Sequence, residues 1–172
     1  MKINWKKYEK CSKIRTMWIK KGDHMSKIGI IFVSVHHENT LKVLQAMKDE
    51  VELDLIPINY VKSADLSQYD YLGFASGVYY NKLSNALMKQ IKNLDLSNKK
   101  TFIVYTCGSH YKKYEAEAEE ILKTKSTYLG TYYCRGYDTF GPLKLIGGIA
   151  RKHPTIKDIR LAQAFITDII LR

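Results

Sequence analysis

The sequence has little of what stabilises small secreted domains or crosses membranes. It contains only three cysteines in 172 residues, and the spacing of Cys11, Cys107 and Cys134 fits neither a disulfide framework nor a zinc motif. No apolar run approaches the length of a transmembrane helix. These absences argue against a disulfide-rich or membrane-spanning protein and favour a reducing, cytoplasmic setting. The 45% of hydrophobic residues suffice for one domain with its own core.

Acidic residues are scarcer than basic ones, 17 against 28, and the excess positive charge is unevenly placed. Residues 1–24 hold eight basic and two acidic residues, a net charge of +6, so the rest of the chain carries the other +5 of the total of +11. This segment lacks the apolar core of a signal peptide. It could be a basic arm for a membrane or a nucleic acid, with Trp5, Tyr8 and Trp18 among its lysines.

A simpler hypothesis is that residues 1–24 precede the true start of the protein at Met25. The residues Lys21–Met25 can be encoded by a stretch that resembles a bacterial ribosome-binding site followed by a start codon. We prefer this hypothesis. It predicts a basic N-terminal extension over residues 1–24 and one domain over residues 25–172.

Five segments predict β-strands that alternate with amphipathic helices. Three are apolar throughout, as expected of strands buried on both faces, whereas the second and fifth are more polar and are expected at the edges. In chain order the strands are Ile28–Val33, Leu53–Ile58, Tyr71–Ala75, Thr101–Tyr105 and Thr127–Cys134. The helix after the third strand is expected to bury Leu83, Ala86, Leu87, Ile91 and Leu94. The last helix has a predicted capping box, formed by Thr155 and Asp158.

This alternation predicts an α/β fold, a doubly wound five-stranded parallel sheet with helices on both faces. With the three apolar strands in the centre, the strand order is 2-1-3-4-5. A ligand of such a sheet binds at the carboxyl ends of the strands, where the order reverses between strands one and three. The loops after strands one, three, four and five should therefore meet at one site.

The loop after strand one leads directly into a helix. The start of a helix presents unpaired N–H groups and the positive end of its dipole, which together bind phosphate well. Ser34, Asn39 and Thr40 add hydroxyl and amide groups that can close around phosphate oxygens. The alternative is that Asn39 or Thr40 only caps the helix, and this loop alone does not decide between the two.

The other loops suit a flat ring. The loop Ser76–Asn81 contains Gly77, which permits a tight turn, and two tyrosines that can stack on a planar ligand. The loop Thr106–His110 offers backbone N–H groups, and the long segment Cys134–Gly148 can cover the site. Together, the four loops favour a flat phosphorylated ligand.

Two of these segments resemble the flavodoxin family in its short-chain form: SVHHENT at Ser34–Thr40 and CRGYDTFGPLKLIGGIARKHP at Cys134–Pro154. The resemblance covers Lys27–Leu171 and implies a flavodoxin-like fold with flavin mononucleotide (FMN) as the cofactor. It assigns the phosphate to Ser34, His36, Asn39 and Thr40, and the flavin ring to Ser76, Gly77, Val78, Tyr79, Tyr80, Thr106, Cys107, Gly108 and Ser109.

The sequence departs from the family pattern at two positions. Glu38 stands where relatives commonly have glycine, and its carboxylate is expected to face solvent because it would repel a phosphate. Asn81 also replaces a common glycine, but asparagine tolerates left-handed backbone geometry. These departures bear on the affinity for FMN more than on the identity of the ligand.

Several other side chains allow more than one interpretation. Adjacent histidines, His36 and His37, lack suitably spaced partners, so we expect no metal site. Cys107 could form a flavin adduct or a redox disulfide, but without a CxxC motif we expect an ordinary thiol. The residues Arg135, Tyr137 and Asp138 could form a substrate pocket or hold the long loop over the flavin.

The resemblance implies a one-electron carrier that passes electrons between redox partner proteins. The basic domain suggests that such a partner has an acidic docking patch. We expect a monomer, with no nucleic-acid partner and no membrane span. One alternative is an FMN-dependent NAD(P)H:quinone or nitro reductase, which needs a site for a hydride donor and usually a dimer interface. Another is a non-redox binding module that has lost its cofactor, which Glu38 would favour.

Overall fold

The computed structural model of the chain describes residues 26–35, 37–110 and 112–172. The predicted N-terminal extension therefore lies outside the described residues. The strands are β1 (Ile28–Val33), β2 (Asp54–Pro57), β3 (Tyr71–Tyr79), β4 (Lys82–Leu83), β5 (Lys100–Cys107) and β6 (Thr127–Arg135). The α-helices are α1 (Asn39–Glu50), α2 (Asn85–Asn93), α3 (Ala116–Lys125) and α4 (Ile156–Ile170), and short 3-10 helices cover Ile58–Tyr60 and Gly141–Lys144.

The main sheet has the strand order β2-β1-β3-β5-β6, and every pair along it is parallel. Since β5 and β6 are the fourth and fifth predicted strands, the predicted order 2-1-3-4-5 is confirmed. The apolar strands β1, β3 and β5 occupy the centre because both of their faces are covered by helices. The carboxyl ends of the strands consequently meet at one edge of the sheet.

Each face of the sheet packs against two helices. Along β5, Ile103 and Tyr105 belong to one buried cluster, whereas Phe102 and Val104 belong to the other, as the two-residue period of a strand requires. Helices α2 and α3 cover the first face, and α1 and α4 cover the second. Each fully buried large aliphatic or aromatic side chain contributes about 1.5–3 kcal/mol relative to an exposed one.

The strand β4 was not predicted. Leu83, which we expected on a helix, lies in this strand, where it pairs with Val78 in the antiparallel direction. Tyr80 and Asn81 form the turn with φ angles of 49° and 63°, the left-handed geometry of the tightest hairpins. The hairpin also extends β3 to Tyr79, well beyond its predicted end at Ala75. Helix α2 begins only at Asn85, and the predicted core residue Ala86 is exposed.

The start of α4 confirms the predicted capping box. The Thr155 hydroxyl accepts a hydrogen bond from the Asp158 N–H at 3.2 Å, and the Asp158 carboxylate accepts one from the Thr155 N–H at 2.6 Å. These two bonds fix the point where the long loop after β6 ends. Within the part of the chain that the structure describes, none of the helices is long and apolar enough to cross a membrane.

Candidate cofactor site

A cleft of about 360 Å³ opens at the carboxyl ends of β1, β3, β5 and β6. The four loops that the sequence analysis singled out all contribute to its walls. Most of the residues predicted to bind the cofactor line this cleft: Ser34, Asn39, Thr40, Gly77, Val78, Tyr79, Tyr80, Thr106, Cys107, Gly108 and Ser109. His36, which we also predicted, lies outside the described residues.

Ser76 is the predicted residue that the structure places behind the cleft wall. Its side chain is fully buried, and its hydroxyl accepts a hydrogen bond from the Ser84 N–H at 2.9 Å. The same hydroxyl donates to the carbonyl group of Gly77. Ser76 therefore ties β3 to the start of α2 and holds the hairpin in place.

The start of α1, which we predicted to bind phosphate, has an unusual N-cap. Glu38 occupies the N-cap position with a left-handed φ of 53°, and its exposed side chain makes no capping bond. The Ser34 hydroxyl instead accepts a hydrogen bond from the Leu41 N–H at 3.2 Å. Asn39 and Thr40 occupy the first two helical positions, so neither is the N-cap residue that the alternative interpretation required.

Two buried side chains connect this helix start to the rest of the cleft. The Thr40 hydroxyl lies 2.9 Å from the Thr106 hydroxyl at the end of β5. The Asn39 amide donates to the carbonyl group of Tyr137 at 2.8 Å. Lys42, whose ammonium group donates to the carbonyl group of His37 at 3.0 Å, places a positive charge beside the same loop. Lys42 was not among the predicted site residues, because the prediction for this loop rested on neutral hydroxyl and amide donors.

The loop after β6 is fastened over the cleft. The His37 ring packs against the Tyr137 ring at a centroid distance of 4.3 Å, and its Nε2 atom lies 2.9 Å from the Thr139 hydroxyl. Arg135 donates through Nε to the carbonyl group of Gly108 at 3.1 Å. The Asp138 carboxylate accepts a hydrogen bond from the Phe140 N–H at 2.8 Å. For Arg135, Tyr137 and Asp138, these contacts favour a role in holding the loop after β6 in place.

Aromatic rings stand on both sides of the cleft mouth. Tyr79 and Tyr80 come from the β3–β4 hairpin, and Phe140 comes from the loop after β6. The Tyr80 and Phe140 rings meet edge to face with their centroids 5.0 Å apart. The Tyr79 hydroxyl accepts a hydrogen bond from the Val35 N–H at 3.3 Å, and burial raises the pKa of Tyr79. The hairpin and the loop therefore touch across the entrance.

The floor of the cleft contains a thiol that stays protonated at neutral pH. Burial raises the pKa of Cys107 to about 11, and that of Cys134 to about 12. Cys107 packs with the core on one face of the sheet and Cys134 with the core on the other, although they lie on neighbouring strands. Neither a thiolate attack nor a disulfide between these two residues fits this arrangement, which supports the ordinary thiol.

Several lining residues were not in the predicted set. Asn81, Gly136, Tyr137, Asp138, Phe140, Leu143 and Ile149 belong to the hairpin or to the covering loop, and Tyr114 comes from the turn before α3. The hydroxyl of Tyr114 donates to the carbonyl group of Ser109 at 2.7 Å, which positions the floor loop. The sequence offers no signal for this contact, because Tyr114 fits the apolar face of the following helix equally well.

Among the described residues, no group of three or more histidine, cysteine, aspartate or glutamate side chains is placed to hold a metal ion. The cleft offers the start of a helix, hydroxyl and amide groups, and aromatic rings on both sides of its mouth. Residues 30–138 match the family model described as a flavodoxin domain. The chain belongs to the flavodoxin family.

Comparisons with individual proteins agree with this assignment. The chain is 35% identical to an uncharacterised protein of Methanocaldococcus jannaschii over 147 residues, which cover 84% of this chain and 98% of the relative. Its fold is similar to that of oxidised flavodoxin 2 from Bacillus cereus, with a TM-score of 0.62, 17% identity, and coverage of 85% of this chain and 99% of the other. A short-chain flavodoxin associated with a bacterial microcompartment gives a TM-score of 0.63, 14% identity, and coverage of 86% and 98%.

Membership of the flavodoxin family implies FMN as the cofactor. The chemistry of the cleft fits this molecule, because its polar end has the donors that a phosphate needs and its mouth has aromatic rings for a planar ring system. Exposed Glu38 keeps its carboxylate in solvent, where it repels a phosphate least. The residues present in the cleft therefore fit FMN.

Proposed function

We propose that this flavodoxin carries single electrons between other redox proteins. When bound, FMN supplies the electron-accepting chemistry, and the protein binds the cofactor and controls what reaches it. In this proposal, the start of α1 with Ser34, Asn39 and Thr40 holds the phosphate. The residues at the end of β3 and the loop Thr106–Ser109 hold the ring.

The contact between Tyr80 and Phe140 carries this proposal. A hydride donor must stack on a flavin face at near-contact distance, so it needs an open space over the ring. The hairpin and the covering loop meet at the cleft mouth with a ring-centroid distance of 5.0 Å. In the proposal, this contact closes the space that a hydride donor would need over the ring. Single electrons can leave through an exposed edge and need no such space.

The charge of the protein suggests the kind of partner. Residues 25–172 carry 20 basic and 15 acidic residues, a net charge of +5. A partner with an acidic patch would be steered toward this surface, and its rate of electron exchange would fall as salt rises. The proposal therefore includes a redox partner of opposite charge.

Rapid-mixing reduction under anaerobic conditions distinguishes a carrier from a reductase. We expect NADH and NADPH to reduce the FMN-loaded protein slowly, whereas dithionite reduces it in two separate one-electron steps. Replacing a wall residue, Phe140→Ala, should accelerate reduction by NADPH, because it opens space over the ring. Tyr60→Ala removes another exposed aromatic ring, after β2 and outside the cleft lining, and should have no effect. Fast two-electron reduction of the unmodified protein, with turnover of a quinone, would establish the reductase instead.

A further inference from the structure

Four exposed apolar side chains lie on the hairpin and on the loop that border the cleft. Tyr80 is 79% exposed, Phe140 44%, Leu145 90% and Ile146 66%, and we call these four residues the rim patch. Three of them lie in the loop that covers the cleft, and the fourth contacts that loop through Phe140. Isolated exposed apolar residues are common, but a group beside a functional cleft marks a candidate interaction surface.

The turn that carries Leu145 and Ile146 has a fixed backbone. The Gly148 N–H donates to the carbonyl group of Leu143 at 2.7 Å, and the Gly147 N–H donates to that of Lys144 at 3.1 Å. Gly147 and Gly148 have positive φ angles of 74° and 85°, which residues with a side chain rarely adopt. The two aliphatic side chains are therefore held toward solvent by an internally bonded turn.

Two further side chains fasten this turn from outside. The guanidinium group of Arg151 donates to the carbonyl group of Ile146 at 2.7 Å. The Tyr137 hydroxyl donates to the carbonyl group of Gly147 at 3.1 Å, and Tyr137 also lines the cleft. The rim patch is thus connected directly to the wall of the cofactor site.

The charged side chains within residues 137–153 are mostly basic. Residues 137–153 contain three exposed basic residues, Lys144, Arg151 and Lys152, and one acidic residue, Asp138. The Asp138 carboxylate is partly buried and accepts the Phe140 N–H, so it is directed into the loop. The exposed surface of this loop is therefore apolar at its tip and positive at its edges.

We propose that the rim patch is the docking surface for an acidic redox partner whose contact region has an apolar centre. This inference rests on the proposed electron-carrier function and assigns its docking site. The partner would cover Leu145 and Ile146 and pair its carboxylates with the surrounding cations. It would then lie against the cleft, because Phe140 lines the cleft and Leu143, which also lines it, accepts the Gly148 N–H that closes this turn.

The size and charge of the rim patch favour a protein partner over a membrane and over a second copy of this chain. Transient redox complexes bury less than about 1,200 Å², so a few apolar side chains with a polar rim are sufficient. The strength of membrane binding scales with the apolar area buried in the bilayer, and this turn offers only two aliphatic side chains, Leu145 and Ile146, at its tip. A second copy of the chain would bring the same positive loop, and the like charges would repel.

The test uses the FMN-loaded full chain and two probe proteins of opposite charge: an acidic [2Fe–2S] ferredoxin and a basic c-type cytochrome. Isotope-labelled protein is titrated with each probe at low salt while amide chemical shifts are recorded. We expect the ferredoxin to perturb the amides of residues 137–153 and the hairpin at Tyr80. We expect the cytochrome to leave this region unchanged.

Paired variants separate the patch from general surface effects. The double variant Lys144→Glu with Leu145→Ser should weaken ferredoxin binding about tenfold or more, since it removes one apolar contact and reverses one charge. The matched control, Lys62→Glu with Tyr60→Ser, makes the same kinds of change at an exposed site after β2 and should change binding less than about twofold. Both variants should bind FMN normally.

Each failure has a distinct meaning. Electron transfer from the reduced, FMN-loaded protein to each probe is followed in parallel by absorbance. If electrons reach neither probe, the carrier function itself is contradicted. If electrons reach the ferredoxin but both double variants behave alike, or the shifts map elsewhere, the docking surface is contradicted and the carrier function stands. Binding to vesicles of anionic phospholipid that depends on Leu145 would assign the patch to a membrane instead. A dimer that dissociates in the Lys144→Glu and Leu145→Ser variant would assign it to a second copy.

Discussion

The hydroxyl groups of Thr40 and Thr106 lie 2.9 Å apart, in the first turn of α1 and at the end of β5. Both side chains are buried, so the pair joins the loop assigned to the phosphate to the loop assigned to the ring. A change at either hydroxyl is therefore felt at both ends of the cofactor site.

Replacing Thr40 with valine keeps the shape of the side chain and removes its hydroxyl. A hydrogen bond to a charged oxygen contributes about 1.5–3 kcal/mol, so the affinity for FMN should fall about tenfold or more. Asn39→Ala should have a similar effect. Thr106→Val removes the partner hydroxyl from a residue assigned to the ring, so it should also weaken FMN binding, but by less, because it leaves the side chains of the helix start in place. Unchanged affinity in the Thr40 and Asn39 variants would mean that these residues have only a structural role.

Glu38 combines a left-handed backbone with a negative charge beside the phosphate loop. Left-handed geometry costs a residue with a side chain about 1–2 kcal/mol, so Glu38→Gly should stabilise the protein and keep or improve its affinity for FMN. Glu38→Gln removes the charge but keeps the strain. We expect Glu38→Gln to affect FMN binding alone, and denaturant unfolding with parallel FMN titration separates the two effects. A loss of affinity in Glu38→Gly would show that the carboxylate takes part in the site.

The capping carboxylate of Asp158 gives the protein an acid-sensitive contact. Burial opposes ionisation of Asp158, but hydrogen bonds from Thr155 and His153 outweigh it and lower its pKa below the ordinary value of 3.8. The Asp158 carboxylate therefore binds a proton less readily in the folded state than in the unfolded state. The contribution of Asp158 to the free energy of unfolding is complete at pH values above the ordinary pKa of 3.8. It is lost as pH falls through the lowered pKa of the folded state.

Asp158→Asn should cost about 0.5–2 kcal/mol at neutral pH, as expected for the loss of a helix cap. It should also flatten the pH dependence of the unfolding free energy in the acid range. Urea unfolding at a series of pH values measures both effects. An unchanged acid profile would show that other carboxylates set it.

The segment over residues 1–24 differs in charge from the domain that follows. The described residues form two buried clusters, one on each face of the sheet. We therefore predict that a chain starting at Met25 has the same melting temperature and the same affinity for FMN as the full chain. A clear loss of either would show that the segment packs on the domain.

Much of the fold could be predicted because its signals are local. The uninterrupted apolar character of Ile28–Val33 and Thr101–Tyr105 determines which strands are central, and the spacing of Thr155 and Asp158 determines where α4 begins. The β4 hairpin escaped prediction because it depends on two non-glycine residues, Tyr80 and Asn81, with left-handed geometry. Propensity argues against that geometry at a tyrosine.

The cleft was harder to predict than the sheet. Its loops were foreseen because parallel strands bring their carboxyl ends together. The contacts between the loops were not foreseen, because they join residues far apart in the chain. The Tyr80–Phe140 pair spans about 60 positions, and the Asn39–Tyr137 hydrogen bond spans 98. A single sequence carries no signal for such pairs, because each residue alone satisfies the local pattern of its own element.

Comparing FMN with riboflavin is the most direct test of the account, because the two molecules share the ring and differ in the phosphate. Calorimetric titration of the flavin-free full chain measures both affinities, with FAD as a third ligand. If the start of α1 holds the phosphate through two or more charge-assisted hydrogen bonds, FMN should bind at least about a hundredfold more tightly than riboflavin. FAD should also bind weakly. Equal affinities for FMN and riboflavin would contradict the phosphate site.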